Sequence, residues 1–218
     1  TAPWVTLTSE TRKNYSWSEL QLTLGSSVFV KPSRQGSSVG VSKVGNATQL
    51  ESALDEAFRY DDVVLVEQAI SGREIECSVL GNQQPQVSLP GEIVTRHDFY
   101  SYSAKYLEKD AATIVSPADL TSEQQAKLQW VALKSFTLLQ CQGLARVDMY
   151  LTETDEVYVN EVNTLPGFTD ISMYPKNWVV SGKSYQELLV SMIDLAFERF
   201  KLKSTLRTDY IQVESLKA

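Results

Sequence analysis

The sequence has few of the residues that most often build metal and redox sites. Its 218 residues include one histidine, His97, and two cysteines, Cys77 and Cys141. Two cysteines cannot form a disulfide framework, and both lie among apolar neighbours. We therefore expect buried free thiols in a reducing compartment, with the cytoplasm as the default location. We interpret His97 as a surface residue with ordinary titration.

Long apolar runs and excess positive charge are also lacking. No apolar run approaches the ~18 residues of a membrane span, and we expect neither a transmembrane segment nor a signal peptide. The formal net charge of −7 argues against a nucleic acid or an anionic membrane as partner. The chain begins at Thr1 without a methionine, so we expect it to be processed, truncated or part of a larger protein. With 43% hydrophobic residues, it can form a sizeable core.

Three helices are predicted where a capping residue precedes apolar positions at helical spacing. The capping residues are Asn46, Thr121 and Ser184, each followed three positions later by glutamine or glutamate. Strands are predicted over residues 28–31, 39–44, 63–67, 74–80, 145–151 and 157–163. Loops that contain proline and glycine divide the chain into four predicted parts. These are a linker and helix over 1–21, a small lobe over 22–71, a large lobe over 72–200 and a tail over 201–218.

The last two predicted strands carry the most informative polar residues. Alternation places Asp148 on one face with Arg146 and Tyr150, and Glu161 on one face with Asn163. Asp148 faces Glu161 only if paired residue numbers sum to an odd value, because a one-residue slip turns every side chain to the other face. Three oxygen donors on one face suit Mg²⁺. A surface hairpin with solvated acids is the alternative.

A second polar segment connects the strands predicted over 28–31 and 39–44. Lys31 ends the first strand, and the loop after it contains Gly36, Ser37 and Ser38. Small residues let backbone amides approach phosphate oxygens, and the lysine supplies a positive charge. The pattern is not a Walker A loop, since no Gly-Lys-Ser/Thr follows. A flexible hairpin tip is an equally good interpretation.

A third segment joins an apolar strand to the next strand through a short hinge. The strand ends at Glu67, the hinge is Gln68-Ala69-Ile70, and the next strand begins near Glu74. Backbone groups of such a hinge can meet an adenine edge, and the Glu74 carboxylate can accept from both ribose hydroxyls. An ordinary strand-loop-strand connection is the alternative.

These three segments, in this order, resemble the ATP-grasp superfamily and, in detail, the D-alanine:D-alanine ligases of bacterial cell-wall synthesis. The resemblance extends from about Pro3 to Phe200. Its most specific sequences are Gly36-Ser37-Ser38-Val39-Gly40, Gly72-Arg73-Glu74, Ala104-Lys105-Tyr106, Ala145-Arg146-Val147-Asp148 and Asn160-Glu161-Val162-Asn163-Thr164-Leu165-Pro166-Gly167. It implies an α+β fold in which the antiparallel sheets of two lobes grip the nucleotide.

The family's reaction implies the ligands of this chain. They would be ATP, two Mg²⁺ or Mn²⁺ ions, and two molecules of D-alanine. The first D-alanine would be phosphorylated to an acyl phosphate, and the amine of the second would attack it. The products would be D-alanyl-D-alanine, ADP and phosphate.

The resemblance also implies roles for individual residues. Arg146 and the N–H of Gly167 would stabilise the oxyanion of the tetrahedral intermediate, while Ser172 and the N–H of Met173 would bind the carboxylate of the second D-alanine. The metal ligands would be Asp148, Glu161 and Asn163. The nucleotide-binding residues would be Lys31, Ser38, Glu67, Gln68, Ala69, Ile70, Glu74 and Phe99.

The segment from His97 to about Lys109 resembles the family's mobile lid. Within it, Lys105 would meet phosphate or carboxylate oxygens, and Tyr106 would hydrogen-bond Ser37 in a network that orders the first D-alanine. Relatives that make D-alanyl-D-lactate carry a histidine where this chain has Tyr106, so the dipeptide is the predicted product. D-serine as the second substrate stays open.

The chain departs from the family pattern before Lys31. The family's ligases begin with an additional α/β domain, which carries the glutamate that binds the first D-alanine and contributes to a homodimer. Nothing before Lys31 supplies that glutamate. Two alternatives therefore stay open, namely a catalytically incomplete ATP-binding fragment and a ligase for another carboxylate and amine.

Overall fold

The computed structural model describes residues 1–95 and 112–207. The strands are β1 (Trp4–Thr8), β2 (Val28–Pro32), β3 (Ser42–Val44), β4 (Val63–Gln68), β5 (Arg73–Gly81), β6 (Gln86–Val87), β7 (Gly91–Thr95), β8 (Ala112–Val115), β9 (Gly143–Leu151) and β10 (Val157–Asn163). The helices are α1 (Trp17–Leu24), α2 (Ala47–Ala57), α3 (Ser122–Leu138), α4 (Met173–Val180) and α5 (Tyr185–Ser204), with a short 3₁₀ helix at Arg12–Asn14. Two antiparallel sheets confirm the predicted α+β class.

The first sheet has the strand order β1-β4-β2-β3. Its strands alternate, so that Val28 and Val30 are buried against α1 and α2 while Lys31 lies on the opposite face. The segment expected to be a linker contributes β1 to this sheet, where Leu7 pairs with Val64. Strand β1 was not predicted from the sequence, because it is short and is stabilised by pairing with a strand distant in sequence.

The second sheet has the order β10-β9-β5-β7-β8, with β6 paired to β5. One face is apolar and packs against α3 through residues such as Val147, Leu128 and Phe136. The other face is polar along part of its length and is covered by α4 and α5 at one end, where Tyr174 and Leu188 are buried. This division leaves a polar area of the sheet beside the covering helices.

The three predicted helix starts are confirmed. The Asn46 side chain accepts from the Gln49 N–H, and capping boxes begin α3 at Thr121 and α5 at Ser184. A side chain that satisfies an amide with no intrahelical partner stabilises a helix end by about 1 kcal/mol. These helix starts can therefore be predicted from a few neighbouring residues, without knowledge of tertiary contacts.

Two predictions need correction. The strand predicted over residues 39–44 is limited to β3, Ser42–Val44, because the preceding residues form turns closed by Val39 N–H to Gly36 O and Val41 N–H to Ser38 O. Both cysteines are free, as predicted, but only Cys77 is fully buried. Burial raises the pKa of the Cys77 thiol and, at its partly exposed position, that of Cys141.

None of the helices in residues 1–95 and 112–207 is both long enough and apolar enough to cross a membrane.

Candidate active site

A β-bulge sets the register of the hairpin formed by β9 and β10. Near its turn Val159 pairs with Met149, so that paired numbers sum to an even value. The register shifts at Asn160, and beyond it Glu161 pairs with Asp148, which gives an odd sum. The predicted register is thus confirmed, and a single extra residue places both carboxylates on one face of the sheet.

Three carboxylates form a row across neighbouring strands. Asp148 on β9 pairs with Glu161 on β10 and with Glu76 on β5. The Asn163 side chain connects two of the strands, since its Nδ2 donates to Asp148 Oδ2 at 2.9 Å and to Glu161 Oε1 at 3.3 Å. We call Glu76, Arg146, Asp148, Glu161 and Asn163 the carboxylate cluster.

Arg146 is the cation of the carboxylate cluster. Its Nε and Nη2 donate to the two oxygens of Asp148, each at 2.7 Å, and Nε lies 3.2 Å from Glu76 Oε2. Burial alone would lower the pKa of Arg146, but the Asp148 hydrogen bonds and the charges of Asp148, Glu76 and Glu161 raise it. The guanidinium therefore stays protonated. Its pairing with Asp148 and Glu76 explains how a charged arginine is accommodated inside a strand.

The cluster has the chemistry of a divalent-cation site. Burial, the largest cause, raises the pKa of Asp148, and the charge of Glu161 adds to this effect while Arg146 opposes it. A cation between the two carboxylates would relieve that repulsion. The described ranges contain no preformed group of three His, Cys, Asp or Glu metal ligands. Two carboxylates and an amide nevertheless fit Mg²⁺, which uses few protein ligands, once the Asn163 amide rotates so that Oδ1 takes the place of Nδ2 toward the carboxylates.

The loop between β2 and β3 adopts a strained turn. Ser37 and Ser38 have φ values of 55° and 59°, in the left-handed region that serine rarely occupies. A tight turn holds them, because the Val39 N–H donates to Gly36 O at 3.1 Å. Backbone strain of this kind clusters at ligand-binding loops. The two predicted site residues of this loop are therefore its two strained residues.

Asp61 anchors the start of this loop to β4. The backbone N–H of Arg34 donates to Asp61 Oδ2 at 2.7 Å, and the Arg34 guanidinium also contacts Asp61 and Asp62. Asp61 Oδ1 accepts from the Val63 N–H at 3.0 Å. The Asp61 side chain is only 2% exposed, whereas Asp62 is 81% exposed. One enclosed carboxylate thus connects the loop to the first residue of β4.

Lys31 and Glu67 form an ion pair on the face of the first sheet that is turned away from its core. Lys31 Nζ lies 2.7 Å from Glu67 Oε2, and both side chains are about three-quarters buried. Across from them on the second sheet, burial raises the pKa of the Tyr150 hydroxyl, and the charges of Glu74 and Glu67 contribute. Glu67 of the first sheet and Glu74 of the second therefore both lie close enough to Tyr150 to influence its hydroxyl.

The hinge after β4 commits two of its amides to the first sheet. The Gln68 N–H donates to Pro3 O and the Ala69 N–H donates to Ser27 O, each at 3.0 Å. An adenine edge would therefore meet hinge carbonyl groups or the amide of Ile70. Glu74 lies at the start of β5, two residues from Glu76 and on the same face.

The residues predicted to bind the carboxylate of the second D-alanine, the acceptor, lie at the beginning of α4. Ser172 Oγ accepts from the Thr169 N–H at 3.0 Å, and a methyl group in place of the Gly167 hydrogen would lie 3.0 Å from that oxygen. Met173 begins the helix and is buried against Gly91. The structure therefore brings Gly167, Ser172 and Met173 together, with the N-terminal end of a helix available to an anion.

Two residues of the site were not predicted, Glu76 and Asn177. Asn177 on α4 is fully buried, with its Nδ2 donating to Glu76 O at 3.0 Å and its Oδ1 accepting from Ser116 Oγ at 2.7 Å. Alternation along Glu74-Ile75-Glu76-Cys77 could have placed Glu76 beside Glu74 on the polar face. No local pattern identifies Asn177, since its partners are distant in sequence.

Four expectations fall on residues outside the described ranges, namely those for His97, Phe99, Lys105 and Tyr106. The flanking strands are described, and β7 pairs with β8 up to Thr95 and Ala112.

Comparison with known proteins identifies similar chains. D-alanine–D-alanine ligase A of Escherichia coli K12 is 51% identical over 207 residues, which cover 95% of this chain and 57% of that relative. A D-alanine–D-alanine ligase structure from Coxiella burnetii is 39% identical with a TM-score of 0.80, covering 94% of this chain and 54% of that one. The VanG D-Ala:D-Ser ligase structure from Enterococcus faecalis is 35% identical with a TM-score of 0.82, covering 89% and 56%.

The chain spans little more than half the length of these relatives. Their likeness confirms the ATP-grasp fold that the sequence predicted. A family model described as D-ala D-ala ligase C-terminus matches residues 1–194. With nine-tenths of its length matched by that model and half of its residues identical to a curated member, this chain belongs to the D-alanine–D-alanine ligase family and corresponds to its C-terminal part.

Proposed function

We propose that the protein containing this chain is an ATP-dependent ligase that joins two D-alanine molecules into D-alanyl-D-alanine for peptidoglycan. The observation that carries the proposal is the carboxylate cluster, in which a bulge aligns Asp148 with Glu161 beside a buried arginine. Such a cluster suits charge neutralisation in phosphoryl transfer. The family's members are named for this ligase activity.

Asp148, Glu161 and Asn163 would hold two Mg²⁺ or Mn²⁺ ions. Those ions would neutralise the negative charge of the ATP phosphates when bound. The burial of Asp148 and its proximity to Glu161 support this assignment, because both disfavour the carboxylate pair without a cation.

The nucleotide would occupy the space between the two sheets. The turn at Ser37 and Ser38 would present backbone groups to the phosphates, and Lys31 would exchange its contact with Glu67 for a phosphate oxygen. The ribose would lie near Glu74 and the adenine near Gln68, Ala69 and Ile70. Lys105 and Phe99 would complete the nucleotide site from the lid.

The reaction has two steps. A carboxylate oxygen of the first D-alanine attacks the γ-phosphorus of ATP, the bond to the bridging β-γ oxygen breaks, and ADP leaves. The unprotonated amine of the second D-alanine then attacks the acyl-phosphate carbonyl, the C–O bond to the phosphate breaks, and the departing phosphate takes up the amine proton. Arg146 and the N–H of Gly167 would stabilise the oxyanion formed in this step.

The acceptor would be oriented by its own carboxylate. Ser172 Oγ and the N–H of Met173, at the N-terminal end of α4, supply donors suited to an anion. Tyr106 and Ser37 would order the first D-alanine. We also propose a small lobe that comprises residues 22–71 together with β1, a large lobe over 72–200, and a homodimer for the complete protein.

A D-Ala:D-Ser ligase is the second candidate. The VanG likeness supports it, since a protein of the same fold that is 35% identical to this chain is a D-Ala:D-Ser ligase. Both candidates use the same first step and differ in the amine that attacks.

The test is phosphate release from ATP by the complete gene product with Mg²⁺. Release should require D-alanine, and D-alanyl-D-alanine should form in equal amount. ATP hydrolysis at the same rate with and without D-alanine, or no turnover at all, would contradict the proposed ligase activity. With D-alanine and D-serine mixed at equal concentration, a predominance of D-alanyl-D-serine would select the second candidate. If ADP with Mg²⁺ protects the protein against unfolding but no dipeptide forms, the protein is a catalytically incomplete ATP-binding fragment.

A further inference from the structure

Arg146 binds the carboxylate of Asp148, which the proposed cation needs as a ligand. Both oxygens of Asp148 accept hydrogen bonds from the guanidinium at 2.7 Å. Asp148 Oδ2 also accepts from Asn163 Nδ2 at 2.9 Å. Three of the roughly four lone pairs of this carboxylate are then in use, so a divalent cation that binds Asp148 competes with these bonds. The guanidinium then needs another anion within reach, since a buried arginine without one is strongly unfavourable.

Glu76 is that anion. Its Oε2 lies 3.2 Å from Arg146 Nε, and the side chain is only 12% exposed. Glu76 pairs with Asp148 from the strand opposite Glu161, so Asp148 lies between the other two carboxylates in the row. It can therefore hold Arg146 from the side away from Glu161.

The Glu76 backbone is itself fixed. Its carbonyl oxygen accepts from Asn177 Nδ2 at 3.0 Å, and Asn177 is fully buried in α4. Two residues along β5, Ser78 Oγ donates to the Tyr174 carbonyl at 3.1 Å. The helix whose first residues would bind the acceptor carboxylate is therefore tied to the strand that positions Arg146.

We propose that Glu76 is a positioning residue that keeps Arg146 directed at the reacting carbonyl while a divalent cation occupies Asp148 and Glu161. This role rests on the proposed function. The three carboxylates share one guanidinium, so the row retains negative charge for a cation even with Arg146 in place. Glu76 thus separates the two positive charges rather than binding the cation itself.

The test variant is Glu76→Gln, which keeps the shape of the side chain and removes its charge. The matched control is Glu92→Gln, a carboxylate of the same sheet that is 14% exposed and paired with Arg73 outside the cluster. Both substitutions remove the charge of a largely buried carboxylate that pairs with an arginine, so both should lower thermal stability. Only Glu76→Gln should affect the cluster.

The first readout is Mn²⁺ affinity without nucleotide or D-alanine, measured by electron paramagnetic resonance. Glu76→Gln should weaken Mn²⁺ binding by about tenfold, because Arg146 then remains on Asp148. Glu92→Gln should leave the affinity unchanged. Unchanged affinity in Glu76→Gln, or a loss equal to that in Glu92→Gln, would overturn the proposal.

The second readout is a double-mutant cycle on dipeptide formation by the complete protein. Glu76→Gln should lower kcat by about ten- to a hundredfold with little change in the KM for ATP. In an Arg146→Ala background the same substitution should lower kcat no further, since Glu76 acts through Arg146. An equal loss in both backgrounds would overturn the proposal. If the unmodified protein forms no dipeptide, the proposed ligase function fails, whereas the Mn²⁺ titration still decides the role of Glu76.

Discussion

The β9–β10 hairpin and the loop between β2 and β3 both present polar side chains to the candidate site, but different forces position them. The hairpin places Asp148 and Glu161 by backbone pairing across three strands, with one bulge to correct the register. The loop places Ser37 and Ser38 by a tight turn with two positive φ values, held at its base by Asp61.

This difference separates two kinds of function. The hairpin is continuous with the core, so its side chains keep their places and determine charge and chemistry. The loop has few buried contacts and a strained backbone, which is typical of segments that adjust to a ligand. Substitutions in the hairpin should therefore change kcat and cation affinity, and substitutions in the loop should mainly change the binding of nucleotide and, at Ser37, of the first D-alanine.

The largest effect is expected for Glu161→Gln. The side chain keeps its shape but loses a metal-ligand charge, and several kcal/mol of transition-state stabilisation would be lost. Dipeptide formation at ordinary Mg²⁺ should fall by about a thousandfold. Glu161 is exposed, so the thermal unfolding temperature should stay close to that of the unmodified protein. Glu153→Gln, at an exposed position in the turn of the same hairpin, is the control and should retain full turnover.

Retained turnover in Glu161→Gln would refute the metal assignment. A cooperative loss of folding in that variant would instead show that the row is structural.

Arg146→Ala should combine a catalytic loss with a loss of stability. Removing the guanidinium leaves Asp148 and Glu76 buried without their cation, which costs about 3–5 kcal/mol of unfolding free energy. The value of kcat should fall by about a hundredfold or more, with a smaller change in ADP affinity. Steady-state kinetics and denaturant unfolding measure the two effects separately.

Arg146→Lys is the control for charge. It should recover part of the stability but not the paired hydrogen bonds to Asp148. Equal losses in kcat and in nucleotide affinity for Arg146→Ala would mean that the residue is structural.

The hairpin was predictable from the sequence because strand alternation has a period of two. That period placed Arg146 with Asp148, and it required an odd register for Glu161, which the bulge at Asn160 supplies. The bulge itself could not be predicted, since nothing in the local sequence distinguishes Asn160 as the extra residue. The helix caps at Asn46, Thr121 and Ser184 were also predictable, because their signals lie within a few residues of sequence.

The loop was only partly predictable. Its glycines and serines indicated a phosphate loop, but a strand was expected to begin at Val39, and it begins at Ser42. The anchor at Asp61 lies 27 residues from Arg34, so no local pattern connects them. Asn177 and strand β1 were missed on the same physical ground, since long-range contacts determine both.

Asp61→Asn should weaken nucleotide binding and leave the hairpin unaffected. The substitution removes a charge-assisted partner of the Arg34 amide and guanidinium, so the loop loses its fixed position. The KM for ATP should rise by about five- to tenfold with little change in kcat. Mn²⁺ affinity without nucleotide should not change.

Asp62→Asn is the matched control, because this exposed carboxylate contacts the same guanidinium and should have little effect. Equal effects of the two substitutions would show that the Arg34 charge, and not the enclosed anchor, positions the loop.

The smallest effect is expected from comparing Ser37→Gly with Ser37→Ala. Both variants lose the hydroxyl, so both should lose dipeptide formation to the same extent if Ser37 acts through its side chain. They differ in the turn, where alanine keeps the strain of a positive φ and glycine relieves it. The glycine variant should therefore be more stable than the alanine variant by about 0.5–1 kcal/mol, measured by denaturant unfolding. Equal stability would mean that the turn relaxes in solution, and the contrast between a strained loop and a rigid hairpin would then fail.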